Sequence, residues 1–235
     1  MPSSESKKGE TNGYLRAVAK GVFSLPLIIA LILVLAGRIT YWQGWVFSVY
    51  MCSHSLIASI MFASKPDVIK ERFKPGPGTV WWDKLFWAFY GPLTFVIIII
   101  AVLDGGRFQW TMELPMSVYI AGYVLLVLSD FVKSWCMWVN RFFSTTVRIQ
   151  MDRGHEVIQN GPYRFVRHPG YLAGIFMMIS MPLALGSLWG LIPAAIVIIL
   201  LLIRTHLEDT YLQKELPGYA DYAKKVRYRL LPGVW

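Results

Sequence analysis

The chain has 235 residues, of which 55% are hydrophobic and only 16% are charged. Its mean hydropathy is +0.47, and it contains 10 Trp. A soluble domain of this size could not bury so much apolar surface, and about 25% of its residues would normally be charged. The formal net charge of +9 in turn argues against a chain immersed uniformly in lipid. These values disfavour disulfide scaffolds, disordered regulators and nucleic-acid binders, and they predict an integral membrane protein with basic ends or loops.

The hydrophobic segments predict an all-α, polytopic transmembrane bundle of about six segments. Residues 1–20 are polar and predict a flexible tail. Since about 20 helical residues cross the hydrocarbon core, each of four apolar segments can span it. A shorter apolar pair follows them, separated by the uncharged sequence Gly186–Gly190, and predicts a short helical hairpin over 171–203. The four longer segments lie near 21–37, 44–64, 84–103 and 115–139.

The distribution of basic residues predicts the orientation of the bundle. Of the 23 Lys and Arg residues, all but Arg38, Arg107 and Lys133 fall in the N-terminal tail, in the loop between the second and third segments, in 140–170, or after the hairpin. Basic residues concentrate in cytoplasmic loops of membrane proteins. We therefore expect both termini on the cytoplasmic side. Basic loops also suit anionic lipid head groups, so nucleic acid is not an expected partner.

Polar residues concentrate on either side of the predicted hairpin. The first segment includes Gly161-Pro162-Tyr163 and Arg167-His168-Pro169-Gly170-Tyr171, in which Pro169 is suited to begin a helix. In the second segment Arg204 and Glu208 are one helical turn apart and share a face. Because the hairpin folds back on itself, Tyr171 should lie close to Arg204 and Glu208. The simplest interpretation of Arg204 and Glu208 is a salt bridge at a helix end. The functional interpretation is a binding site for charged ligands.

These motifs together resemble the isoprenylcysteine carboxyl methyltransferase and phospholipid methyltransferase family. The resemblance rests on the two polar segments, on the acidic pair Glu208-Asp209, on Lys65-Pro66-Asp67 with Glu71-Arg72, and on the tail from Leu216 to Val226. It covers roughly 62–235. The chain departs from the family in its Glu-Asp pair, where Glu-Glu is usual, and in Gly170, where the eukaryotic prenylcysteine enzymes often have Ser. The spacing from Tyr171 to Glu208 suits the isoprenylcysteine branch.

The resemblance implies an S-adenosylmethionine-dependent membrane methyltransferase, with 140–235 as its cofactor-binding and catalytic region. Arg204 and Glu208 would be the catalytic residues, and Arg204 would also bind the substrate. No metal is implied. The residues that match cofactor contacts are His155, Glu156, Val157, Ile158, Tyr163, His168, Pro169, Gly170, Tyr171 and Glu208.

The chemistry of these residue types agrees with that implication. A sulfonium cation favours carboxylate and aromatic partners, and an acceptor carboxylate favours a bidentate arginine. Methyl transfer to a carboxylate needs no general base, whereas an amine or thiol acceptor must lose a proton, for which His168, His206 or Glu208 are candidates. The expected acceptor is lipophilic, first a prenylcysteine carboxylate, then a phospholipid amine or a small thiol. Membrane lipids are expected partners, in a prokaryotic inner membrane or the endoplasmic reticulum.

Two functions of other classes are also consistent with the sequence. Related membrane folds make an NADPH-dependent sterol-type reductase one alternative, and a transporter is the general alternative for any polytopic protein. A soluble-type dinucleotide-binding fingerprint after a strand is missing from the sequence. Asp130, Lys133 and His54 are ionisable groups within predicted spans, where an ion pair or a function can explain them.

Overall fold

The computed structural model describes residues 25–61 and 78–235. It contains seven α-helices in these ranges and no β-strand, which confirms the predicted all-α class. A π-helical turn, Leu103–Phe108, extends α3. The helices are α1 Leu25–Ala36, α2 Trp42–Met61, α3 Trp81–Val102, α4 Met116–Val139, α5 Pro169–Ala184, α6 Leu191–Glu215 and α7 Tyr219–Lys225. The predicted tail 1–20 and the motif from Lys65 to Arg72 lie outside the described residues.

Four of these helices are long and apolar enough to cross a membrane. They are α2, α3 with its π-helical extension, α4 and α6, whereas α1 and α5 are shorter apolar helices. The prediction that both arms of the C-terminal hairpin are short was wrong for the second arm. It does not end at Ile203, because α6 continues without interruption to Glu215. Arg204 and Asp209 are buried against partners from other elements, so their charges do not end the helix.

The helices alternate in direction, which brings the connections together at two opposite ends of the bundle. At one end, the backbone N–H of Val80 donates to the carbonyl of Val147 (3.3 Å), and the backbone N–H of Arg167 donates to the carbonyl of Tyr228 (2.9 Å). We call this the site end. At the other end, the Arg38 guanidinium donates to the carbonyl of Gly105 (2.9 Å). Among the described residues, the basic connection between α4 and α5 and the C-terminal segment therefore lie at the site end, and Arg38 and Gly105 lie at the other.

Helix α5 is central to the bundle, since it packs against α3, α4 and α6. Its contact with α4 is close at Gly122, where a Cβ atom would lie 2.7 Å from the backbone nitrogen of Ala184. Ile97, Leu126 and Val197 from the three neighbouring helices are almost completely buried. These contacts fix the N-terminus of α5 beside the polar half of α6.

The hairpin turn is held at the end opposite the site. Ser187 Oγ and Thr111 Oγ1 each donate to Asp104 Oδ2 at 2.6 Å, and the Tyr41 hydroxyl donates to the carbonyl of Leu185 (2.5 Å). Gly186 has a φ of +78° and lies against the Tyr119 ring, so this turn favours glycine. The cluster around Asp104 therefore stabilises the turn that brings α5 and α6 together.

Candidate active site

The segment between α4 and α5 covers the site end of the bundle. Asp83, at the start of α3, accepts a hydrogen bond from the backbone N–H of Val147 (3.0 Å). The Trp87 indole donates to the carbonyl of Thr145 (2.8 Å). Side chains of α3 thus hold the 140–150 segment as a wall over the polar half of α6.

Arg204 is buried beneath this wall and is held from two sides. Its Nη2 lies 2.6 Å from Asp83 Oδ1 and donates to the carbonyl of Thr145 at 2.6 Å. The guanidinium carbon is 4.3 Å from the centre of the Phe86 ring and 5.4 Å from that of Tyr171. Among the described residues, Arg204 Nε has no hydrogen-bond acceptor. The side chain is therefore fixed, and one of its donors is left without an acceptor in the described part of the chain.

Glu208 lies one turn further along α6 and contacts the first turn of α5. Its carboxylate accepts a hydrogen bond from the Tyr171 hydroxyl. Tyr171 is thus in contact with both Glu208 and Arg204, as the hairpin geometry predicted. A carboxylate, a guanidinium and an aromatic ring converge at this point.

Asp209, the second member of the acidic pair, has a different environment. It is fully buried, and the Arg167 guanidinium donates to both of its carboxylate oxygens (2.7 and 2.9 Å). Arg229 Nε donates to it at 2.8 Å, and His168 Nε2 lies 3.1 Å from Oδ1. A carboxylate accepts these bonds, so the His168 hydrogen is on Nε2. Asp209 of α6 therefore anchors the Arg167-His168 motif at the start of α5.

The C-terminal segment completes this anchor. The backbone N–H of His168 donates to the carbonyl of Arg229 (2.9 Å), and Arg167 Nη1 donates to the carbonyls of Val226 and Arg227 (2.7 and 2.8 Å). The start of α5 is thus fixed by both side-chain and backbone hydrogen bonds.

The three candidate bases differ sharply in their surroundings. His168 Nε2 is engaged with Asp209, and His206 is exposed on α6 and does not line the cavity described below. Glu208 does line that cavity. Because His168 also lines the cavity and has its hydrogen on Nε2, two of the three candidates, His168 and Glu208, have an acceptor group at the site, and His206 does not.

His155 lies in the segment that covers the site. Its Nδ1 accepts a hydrogen bond from the backbone N–H of Gln150 (3.2 Å), and its ring lies 4.5 Å from the centre of the Phe142 ring. Burial, together with the nearby charges of Arg148 and Arg153, lowers the pKa of His155 to about 4. The imidazole is therefore neutral near pH 7, with its hydrogen on Nε2.

Tyr163 is a second buried ring in this segment. Its hydroxyl accepts a hydrogen bond from Asn140 Nδ2 (3.2 Å), and its carbonyl accepts one from the Tyr222 hydroxyl (2.6 Å). Burial raises the pKa of Tyr163 well above its usual value, so the phenol stays neutral.

The two residues after His155 differ in exposure. Glu156 is exposed and pairs with Arg141 at 3.1 Å. Val157 packs against the buried cluster formed by Leu216, Tyr219 and Tyr222. The α7 region thereby supports the segment that carries His155.

A single cavity at the site end brings almost all the predicted residues together. Arg204, Glu208 and every predicted cofactor-contacting residue except Pro169 line it. Pro169 instead occupies the first turn of α5, where its missing N–H is harmless. Sequence reasoning did not select the remaining lining residues as site residues. Those that enter the arguments below are Phe86, Trp87, Tyr90, Lys133, Gly174 and Leu201.

Asp83 is the functional neighbour that sequence reasoning missed. It follows Trp81-Trp82, a pair typical of an interfacial anchor rather than of a binding site. An aspartate at the start of an apolar helix is rare, and this rarity is a signal that it pairs with a cation on another helix. Its partner on α6, however, could not be read from local spacing.

Comparison with protein families adds an independent finding. Residues 117–217 match the family model described as Phospholipid methyltransferase. The resemblance to this family is thereby confirmed. The matched region runs from α4 through the covering segment and α5 to the end of α6, and so includes Arg204, Glu208 and Asp209. Together with the apolar helices, the match indicates an integral membrane methyltransferase with lipid-type substrates. No curated protein matches the chain significantly.

Proposed function

We propose that this protein transfers the methyl group of S-adenosylmethionine to the carboxylate of an isoprenylcysteine, forming a methyl ester. The observation that carries the proposal is the convergence of Arg204, Glu208 and Tyr171 in one cavity lined by both the polar segment and apolar helices. The family match supports the methyl transfer, and the positions of these side chains support the choice of acceptor.

The lining residues suit the cofactor chemically. Glu208 and Tyr171 offer a carboxylate and an aromatic face to a sulfonium cation. His155, with its Nε2–H, offers a neutral donor near the Phe142 ring. When bound, S-adenosylmethionine would supply an electrophilic methyl group, and its sulfur would leave as a neutral thioether.

Arg204 suits an acceptor carboxylate for a separate reason. Asp83 and Thr145 already hold Nη2, and the Phe86 ring lies against the guanidinium, so the side chain is preorganised. Its buried Nε has no acceptor among the described residues and is therefore an unsatisfied donor for an incoming oxygen. A carboxylate needs orientation and desolvation, not proton removal, and both are supplied by a buried, fixed guanidinium.

We further propose that the site end faces the cytoplasm and that the acceptor reaches the cavity through the bilayer. The basic residues concentrated in the connections at that end support this orientation. The apolar wall formed by Leu201, Gly174 and Tyr90 supports a lipophilic acceptor.

The test is transfer of a labelled methyl group by the purified protein to a panel of acceptors. We expect label in prenylcysteines with a free carboxylate, and none in their carboxamides. Arg204→Ala should reduce acceptor use while cofactor affinity, measured by calorimetry, stays within about twofold. Loss of cofactor binding with unchanged acceptor KM would reverse the proposed roles.

A phospholipid amine is the second candidate acceptor, favoured by the description of the matched family. An amine must lose a proton, and Glu208 and His168 are the candidate bases that line the cavity. Label in aminolipids, with none in prenylcysteines, would establish this alternative.

A further inference from the structure

A second cluster of ionisable side chains lies within the helices, away from the hairpin. Asp130 of α4 is mostly buried, and its Oδ2 lies 3.0 Å from His54 Nδ1 on α2. Lys133 lies three residues after Asp130, so the two side chains share a face of α4. Asp130 is therefore paired with His54, and Lys133 is its neighbour on the same helix face.

Lys133 differs from the other two because it also lines the cavity that contains Arg204. It lies six residues before the end of α4, which corresponds to about 9 Å along the helix axis. Trp87, Tyr90 and Leu201 line the cavity as well, from α3 and α6. The cavity thus contains a cation among apolar and aromatic residues within the helical bundle.

Two of the basic residues that line the cavity have a carboxylate nearby. Arg204 lies 2.6 Å from the buried Asp83, and Lys133 lies three residues after the buried Asp130 on α4. A charged group in an apolar environment is costly unless a counter-charge compensates it. With Asp130 nearby, Lys133 can remain charged among the helices and interact with a ligand.

We propose that Lys133 is a specificity-determining residue that selects an acceptor with an anionic group attached to an apolar chain. The anionic group is a carboxylate or a phosphate, and a neutral lipid of the same length binds more weakly. This inference rests on the proposed function, because it assumes that the lipophilic acceptor occupies this cavity. Arg204 then orients the anionic group that Lys133 has selected.

The test measures equilibrium binding without cofactor, on purified protein in detergent. Three probes share one farnesyl chain: N-acetyl-farnesylcysteine, its carboxamide, and farnesyl monophosphate. We expect Lys133→Met to weaken binding of the carboxylate probe by about tenfold, which corresponds to about 1.4 kcal/mol, and that of the carboxamide by less than twofold. Lys133→Arg should retain most of the affinity because it keeps the cation.

Two further variants make the result interpretable. Lys84→Met removes an exposed cation of α3 at the same end and should change none of the three affinities. Lys133→Met combined with Asp130→Asn removes both charges, so no uncompensated buried carboxylate remains to disturb folding. It should show the same selective loss as Lys133→Met.

The outcomes separate the possible ligands and the two proposals. Selective loss for the carboxylate probe supports a prenylcysteine-type acceptor, and a larger loss for the phosphate probe supports a lipid phosphate group. Equal loss for the carboxylate and carboxamide probes, or no loss, overturns the role of Lys133. Failure of the wild-type protein to methylate any acceptor would overturn the proposed function, and binding selectivity without cofactor is measured independently of it.

Discussion

Arg204 Nη2 of α6 lies 2.6 Å from Asp83 Oδ1 of α3, and both side chains are buried at the site end of the bundle. Asp83 also accepts the backbone N–H of Val147. One carboxylate therefore connects α3, α6 and the segment that covers the cavity. The arginine proposed to orient the acceptor is thus positioned by a residue outside the region that matches the family.

Replacing Asp83 should impair acceptor binding more than cofactor binding. In Asp83→Asn the side-chain volume is kept, but Arg204 loses its counter-charge and its fixed orientation. Removing one partner of a buried ion pair costs about 3–5 kcal/mol. Part of this cost should appear as an increase in the acceptor KM of roughly tenfold or more. Steady-state kinetics and cofactor calorimetry measure the two effects. Asp221→Asn changes an exposed side chain of α7, and as the control it should leave both values unchanged.

Glu208 should contribute mainly to cofactor affinity. Glu208→Gln keeps an acceptor for the Tyr171 hydroxyl but removes the negative charge proposed to face the sulfonium. We expect cofactor affinity, measured by calorimetry, to fall by about tenfold or more, and Tyr171→Phe to have a smaller effect. Glu215→Gln at the end of α6 is a matched control. Unchanged affinity in Glu208→Gln would remove this residue from the cofactor site.

Asp209 should matter for stability, in contrast to its neighbour Glu208. Asp209→Ala leaves Arg167 and His168 without their shared carboxylate in a buried environment, a loss of about 3–5 kcal/mol. The thermal unfolding midpoint in detergent should fall strongly. Arg229→Ala should lower it less, because the Arg229 side chain is 23% exposed. A midpoint of Asp209→Ala equal to that of the wild type would contradict the anchoring role.

The titration of His155 predicts how stability depends on pH. Its pKa in the folded protein is lowered to about 4, from an ordinary value of 6.5. Between these two values the unfolded chain binds more protons than the folded one, so the contribution to stability falls as pH decreases through this window. Thermal midpoints from pH 7 to 4 should decline less in His155→Gln than in the wild type. Parallel declines would show that His155 does not titrate in this way.

Several features of the site were predictable because they depend on local spacing. Arg204 and Glu208 are one helical turn apart, and both line the cavity. The uncharged break at Gly186–Gly190 predicted a turn, which brings Tyr171 into contact with both. The start of α5 at Pro169 also follows from a local rule, since proline suits the first helical turn.

Other features depend on contacts between distant segments. Hydropathy ends at Ile203, yet α6 continues because Arg204 and Asp209 have buried partners contributed by α3, by the start of α5 and by the C-terminal segment. Glu208 and Asp209 are adjacent in sequence, but successive residues of a helix point in directions about 100° apart. One therefore lines the cavity while the other is buried in an ion network. These different roles of Glu208 and Asp209 could not be read from the motif alone.

The most direct measurement of the central claim is the chemical stability of the labelled product. A methyl ester releases labelled methanol in mild alkali, whereas N-methyl and S-methyl products retain the label. With a prenylcysteine acceptor and labelled S-adenosylmethionine, we predict that the label transferred by the wild-type protein is released by alkali, and that Arg204→Ala transfers little label. Label that resists alkali, or transfer that is undiminished in Arg204→Ala, would contradict carboxyl methylation directed by Arg204.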